Sequence, residues 1–230
     1  MADAYRAEAT DARVRAFIQQ VYGWMAAALA VTGFVALAVS RSASLQRIIF
    51  GSQFVFFGLI IGELLLVMWL ATRISTMSAS TATTVFIGYS VLNGLTMGAI
   101  FLAYAQATVA QAFFVTAGLF MVMTLYGFFT NTDLTRLGHL VGMALIGFII
   151  ATLVNLFLRS EGLYWLITYA GVVIFVGLVA YDSQRIKEMA LSGVGDGEAG
   201  RKYAIMGALR LYLDFVNLFL LLLRILGRRR

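Results

Sequence analysis

Apolar residues run along the chain in blocks close to a membrane's thickness, separated by short polar breaks, most of which carry an arginine. The blocks fall at 20–40, 52–71, 81–103, 109–129, 138–158, 162–184 and 205–226. A helix of about 20 residues crosses a hydrocarbon core of roughly 30 Å. Backbone at that depth must satisfy its own hydrogen bonds, so each block predicts a spanning α-helix. Arg41, Arg47, Arg73, Arg136, Arg159 and the 185–202 segment mark the breaks, while the turn at 103–109 carries no charge. The longest connection, Leu191 to Gly200, is polar and glycine-rich and reads as a flexible loop. The expected fold is an all-α membrane protein. Its seven-helix bundle is one domain over 20–226, flanked by an N-terminal segment 1–19 and a basic tail 227–230.

Composition agrees. Hydrophobic residues make up 61% of the 230 and charged residues 12%, with a mean hydropathy of +0.90, which leaves no room for a separate soluble domain. Cysteine is absent, so disulfides and thiolate metal sites are excluded; proline is absent too, so none of the helices is kinked by it. Arg13 and Arg15 before the first block resemble a signal peptide, but the apolar run is too long for one and is read as a retained helix.

The net charge of +6 lies mostly in breaks and ends, where it speaks to topology rather than to nucleic acid. With a cytoplasmic N-terminus, that side receives Arg6, Arg13, Arg15, Arg73, Arg136, Arg185, Lys187, Arg201 and Lys202. The opposite side holds Arg41, Arg47 and Arg159, so the positive-inside rule favours a cytoplasmic N-terminus. Seven crossings then put Arg228, Arg229 and Arg230 on the far side, against the rule.

Glycines four apart, Gly94 with Gly98 and Gly138 with Gly142, read as close-packing positions between helices. Glu63, midway along the second block, either lines a path or pairs with a neighbouring helix. Arg73, which closes the same block, is an interfacial anchor or a counter-ion. Asn93, Asn155 and Asn217 are expected to hydrogen-bond between helices, with Asn217 also a candidate pore-lining residue. His139, the one histidine, reads as an interface residue. No nucleophile elbow, His-Glu-x-x-His pair or phosphate loop is present, so no enzyme activity or cofactor is expected.

Asp182 and Asp214 are the conspicuous groups. Each lies within or at the end of an apolar run, where a charge costs about 2.5–3.5 kcal/mol on insertion scales. Either each pairs locally, Asp182 with Arg185 or Lys187 and Asp214 with Arg210 one turn before it, or the two meet. Entry of the last helix at Lys202 would place Asp214 about 18 Å deep. Entry at Arg210, which can snorkel, puts both acids one turn below a cytoplasmic arginine and leaves 201–209 as a helical extension outside the bilayer. Side by side, the carboxylates would share a proton. Protonated, they would tie the last two helices together; deprotonated, they would repel and open one end. Such a pair also suits transient binding of an oxygen-seeking cation such as Ca²⁺.

The segments Val179-Ala-Tyr-Asp-Ser-Gln-Arg-Ile186 and Leu211-Tyr-Leu-Asp-Phe-Val-Asn-Leu-Phe219 resemble the Bax inhibitor (transmembrane Bax-inhibitor-motif) family in its bacterial branch. Thr130-Asn-Thr-Asp-Leu-Thr135 and Arg201-Lys-Tyr203 are also similar to that family. The resemblance implies seven helices with the last one central, in an inner (plasma) membrane. It implies a pH-sensitive calcium leak with Asp182 and Asp214 as the paired acids, and Arg73 as a basic partner for them. Arg210 departs from the family's usual uncharged residue and competes for Asp214. The resemblance also implies a rival: a regulatory protein that binds a membrane quality-control protease or another membrane protein without transport. Segment 1–16 and the 185–202 loop would then be its contacts.

Overall fold

The computed structural model describes residues 2–74, 76–193 and 197–227, with side chains described from Ala12 onward. Within them are eight helices and no strand: α1 (Ala2–Arg41), α2 (Ala43–Phe50), α3 (Gln53–Arg73), α4 (Ala79–Ala103), α5 (Gln106–Phe129), α6 (Thr135–Leu158), α7 (Glu161–Leu191) and α8 (Gly197–Leu226). All but α2 are long and apolar enough to cross a membrane. The expected all-α, seven-span fold is therefore the observed one.

Boundaries moved in three places. The first apolar block is part of a helix that begins at Ala2, because its polar leader contains no glycine or proline to stop it. The break at 41–51 holds an unexpected short helix, α2, started by Ser42, whose hydroxyl accepts from the Leu45 N–H at 3.3 Å. The supposed loop 185–202 is mostly helix: α7 continues to Leu191 and α8 begins at Gly197, so the expected extension at 201–209 is helical. Val194, Gly195 and Asp196 of the expected flexible loop, and the tail residues Arg228 to Arg230, lie outside the described residues.

The helices gather into two compact units. One holds α1 to α4 with residues 188–212, and the other α5 and α6 with α7 to Lys187 and α8 from Leu213. In the first, α1 presents Phe17, Val21, Met25, Ala28, Thr32, Ala36 and Val39, all buried at helical spacing. Gly94 and Gly98 let α4 approach this stripe. A Cβ on Gly94 would lie 2.8 Å from the Thr32 carbonyl oxygen, and one on Gly98 would lie 2.5 Å from Val39 Cγ1. Ser78 starts α4 by accepting from the Thr81 N–H at 3.1 Å. The Glu198 carboxylate, from the start of α8, accepts from the Ala79 N–H at 3.4 Å, where the helix dipole favours an anion.

In the second unit Val141 of α6, Ile174, Phe175 and Leu178 of α7, and Leu218, Leu221 and Leu222 of α8 form one apolar cluster. Gly171 of α7 sits against Leu221, and Leu178 shares the cluster with Leu218. Rising positions on α7 thus meet falling positions on α8, an antiparallel register. Gly127 of α5 approaches the Ala180 backbone of α7, and Gly138 of α6 is covered by the Tyr181 ring, whereas Gly142 meets nothing within 4 Å.

Cover varies sharply among the spans. In the most apolar window of α8, 72% of residues are buried, and in that of α7 50%, against 6% in α3 and α6. The helix carrying Arg210 and Asp214 is the covered one, while α3 and α6 leave apolar side chains such as Phe54 and Phe157 exposed.

A methyl group at Gly127 would meet the backbone of Ala180, which cannot swing aside. Gly127→Ala is expected to cost about 1–3 kcal/mol by overpacking, and Gly142→Ala to leave stability unchanged. Thermal unfolding in detergent compares the two directly.

Candidate polar sites and their relatives

Asp182 and Asp214 are both buried, at 8% and 5% exposure, and both belong to the second unit. Asp182 lies one turn beyond Leu178 on α7, and Asp214 one turn before Leu218 on α8. Because the two helices run antiparallel through the cluster that holds Leu178 and Leu218, the register carries both acids to the same end of it. Beside Asp214, Phe215 packs on α5 with its ring 5.5 Å from both Phe113 and Phe120.

The stretch of α7 around Asp182 is held on two sides. Facing α5, the Lys187 ammonium donates to the Phe128 carbonyl at 2.7 Å, near the helix C-terminus where a cation is favoured. Ser183 Oγ donates to Thr124 Oγ1 at 3.4 Å on the same face. Toward the 130–134 connection, Gln184 Nε2 donates to the Thr132 carbonyl at 2.9 Å, and Gln184 Oε1 accepts from the Leu134 N–H at 2.8 Å. At roughly 100° per residue, Asp182 falls on neither of these faces. It shares a third with Val179 and Ile186, which are fully buried.

The other expected site residues are placed as follows. Arg210 is half-buried on α8, and Arg73 closes α3 with its side chain exposed. Asn217 donates to the Leu213 carbonyl at 2.8 Å, one turn back on its own helix. Asn155 accepts from the Ser160 N–H at 3.0 Å and closes α6, where Arg159 takes a left-handed φ of 51°. Neither makes the interhelical bond expected of it: Asn217 has a backbone partner one turn back on α8, and Asn155 has one in the connection that follows α6. Asn93 does, donating to Glu63 Oε2 at 3.5 Å, while the Thr96 hydroxyl donates to Glu63 Oε1 at 2.7 Å. Glu63 thus pairs with α4, one of its two expected roles. His139 is exposed near the start of α6.

The first unit also contains a buried polar junction with no sequence signature. Thr32 Oγ1 donates to the Ser90 carbonyl at 2.9 Å and lies 2.7 Å from the Tyr212 hydroxyl. The Tyr212 ring is held edge-on by Phe86 and Tyr89, with centroids 5.6 and 5.8 Å away. At the start of α6, Asp133 Oδ1 accepts from the Thr135 N–H at 2.8 Å. Hydrogen bonds from Thr135 hold the Asp133 carboxyl below the usual carboxylate range. Among the described residues, no three His, Cys, Asp or Glu side chains gather as a metal site.

The family model for the inhibitor of apoptosis-promoting Bax1 matches residues 14–230. The chain belongs to the Bax inhibitor family. It is 48% identical to the inner membrane protein YbhL of Escherichia coli strain K12 over 220 residues, covering 95% of this chain and 94% of that protein. A Borreliella burgdorferi protein is 43% identical over 93% of this chain and 92% of its own length. A Deinococcus radiodurans protein is 41% identical over 93% and 90%. Together with the seven apolar helices, this makes the chain a multi-pass membrane protein of that family.

Two outcomes check the local chemistry. In a double-mutant cycle of Thr32→Val and Tyr212→Phe, unfolding in detergent is expected to give a coupling of about 0.6 kcal/mol, the usual size for such bonds in membrane proteins. Asp133 binds its proton more weakly folded than unfolded. Its contribution is therefore complete above the unfolded pKa, near 3.9, and fades as pH falls through the lower folded value. Hydrogen exchange at the Thr135 amide should speed up through that window, and Asp133→Asn should flatten the change.

Proposed function

We propose that this protein is a proton-sensitive calcium leak of the inner membrane, with the Asp182–Asp214 carboxylates as its gate and no enzymatic step. One observation carries the reading: two buried acids on antiparallel helices of one unit, at the same end of the apolar cluster that those helices share. Two carboxylates brought together cannot both ionise at low cost, so the pair holds one proton between them. In that state an O–H···O bond ties α7 to α8 and the path is closed. When the proton leaves, like charges repel at short range in a poorly screened setting, and the end of the bundle opens.

The open pair offers carboxylate oxygens to a hard cation. Ca²⁺ takes six to eight oxygens, so two side chains and water bind it transiently, as conduction requires. Arg210, one turn before Asp214 on the same helix, is the candidate counter-ion and competes for Asp214. Asn217, one turn beyond Asp214 on α8, is a candidate path-lining group. The relative named as an inner membrane protein supports the location, the basic residues support a cytoplasmic N-terminus, and the heavy cover of α8 supports a central last helix.

Calcium flux into liposomes holding only this protein, scanned from about pH 6 to 8 around the range where shared carboxyl protons titrate, tests the reading. Flux is expected to change with pH, and the response to vanish in the Asp182→Asn, Asp214→Asn double variant. Background flux at every pH would overturn the leak. It would favour a regulatory membrane protein that acts through a partner such as a membrane protease.

A further inference from the structure

Gln184 makes a two-point contact on the segment that carries Asp182, and nothing in the aspartate chemistry calls for it. Both ends of its amide are used on one short connection: Oε1 on the Leu134 N–H at 2.8 Å and Nε2 on the Thr132 carbonyl at 2.9 Å. One hydrogen bond would let α7 pivot. Two, from a planar amide to backbone groups two residues apart, fix its rotation and its slide together. Leu134 caps α6 without a side-chain bond of its own, so Gln184 also satisfies an otherwise orphan amide at a helix start. The side chain is 8% exposed, which shields both bonds from competition with water.

Asp182 stands two residues earlier, roughly 200° around the helix. Holding Gln184 against the connection therefore turns Asp182 to the far side, onto the buried face with Val179 and Ile186. We propose that Gln184 is the positioning residue of Asp182, a two-point latch between the 130–134 connection and α7 that sets where the carboxylate points. The proposal rests on the reading of Asp182 as a proton-sensitive group.

The charged and titratable groups on the surrounding elements are few. On α7, within two turns of Asp182, they are Tyr181, Arg185, Lys187 and Glu188; on α5, Tyr126 alone. The connection and the start of α6 bring Asp133, Arg136 and His139, and α8 brings Asp214, with Arg210 one turn before it. Gln184 carries no charge, so replacing it with another neutral residue leaves that set intact. A changed titration of Asp182 then reports geometry.

The test uses the full chain in liposomes, with Gln184→Met (equal length, no hydrogen bonds) and Gln184→Asn (an amide too short to reach both partners). The infrared carboxyl band lost in Asp182→Asn gives the protonation midpoint of the carboxyl pair that includes Asp182; flux midpoint and melting temperature are measured alongside. Gln184→Met is expected to move the infrared midpoint by on the order of half a pH unit or more, and the flux midpoint with it. Gln184→Asn is expected to move both in the same direction by less. A lower melting temperature with both midpoints unmoved would overturn the proposal and leave Gln184 a structural tie. Should the parent protein carry no flux, the leak reading fails while the infrared midpoint still decides the role of Gln184. Should Gln184→Met not fold, Gln184→Asn decides it.

Discussion

A carboxylate in hydrocarbon must be covered or answered, and the arrangement around α7 and α8 follows from that cost. Insertion of one acid at membrane depth costs about 2.5–3.5 kcal/mol, comparable to a large share of a small domain's net stability. The chain meets it by burying Asp182 and Asp214 in its two most covered helices. On α3, which has little cover, Glu63 is answered instead by Asn93 and Thr96 of α4, and the exposed side chains of α3 and α6 such as Phe54 and Phe157 are apolar, for which lipid is an adequate neighbour. Covered acids on α7 and α8, an acid answered by its neighbour on α3, and apolar side chains left to lipid all follow from that one cost.

Little hydrophobic force drives helices together inside a bilayer, so close approach must come from shape and polar contact. Both devices are visible. Gly94 and Gly98 bring α4 against the α1 stripe, and Gly127 and Gly138 bring α5 and α6 against the turn of α7 that holds Asp182. Polar ties then fix rotation: Thr32 with Tyr212 in one unit, Gln184 and Lys187 in the other.

Much of this was readable from the chain alone, for physical reasons. Hydrophobic length determines a membrane helix, so all seven spans are visible in the sequence. The spacing of Gly94 and Gly98 disclosed a packing face, and the cost of an intramembrane charge singled out Asp182 and Asp214. What escaped notice depends on distant partners or on small helices. The junction of Thr32, Ser90 and Tyr212 joins residues far apart in the chain, and none of the three is unusual locally. Gln184 bonds only to backbone, which leaves no mark on residue type at 132 or 134. Helix α2 is short, and its one signal is Ser42 ahead of Leu45. Asn155 and Asn217 misled because an asparagine can take a nearby backbone partner, in the following connection for Asn155 and on its own helix for Asn217.

The stretch from Ala180 to Lys187 carries two kinds of information at once. Ala180, Tyr181, Ser183, Gln184 and Lys187 touch α5, α6 or the 130–134 connection, whereas Asp182 lies on another face. A descendant of this gene that abandoned the acid would still be under pressure to keep its five neighbours. The residues around Asp182 thus carry the contacts of the scaffold, and the acid itself has to be read separately from the motif that surrounds it.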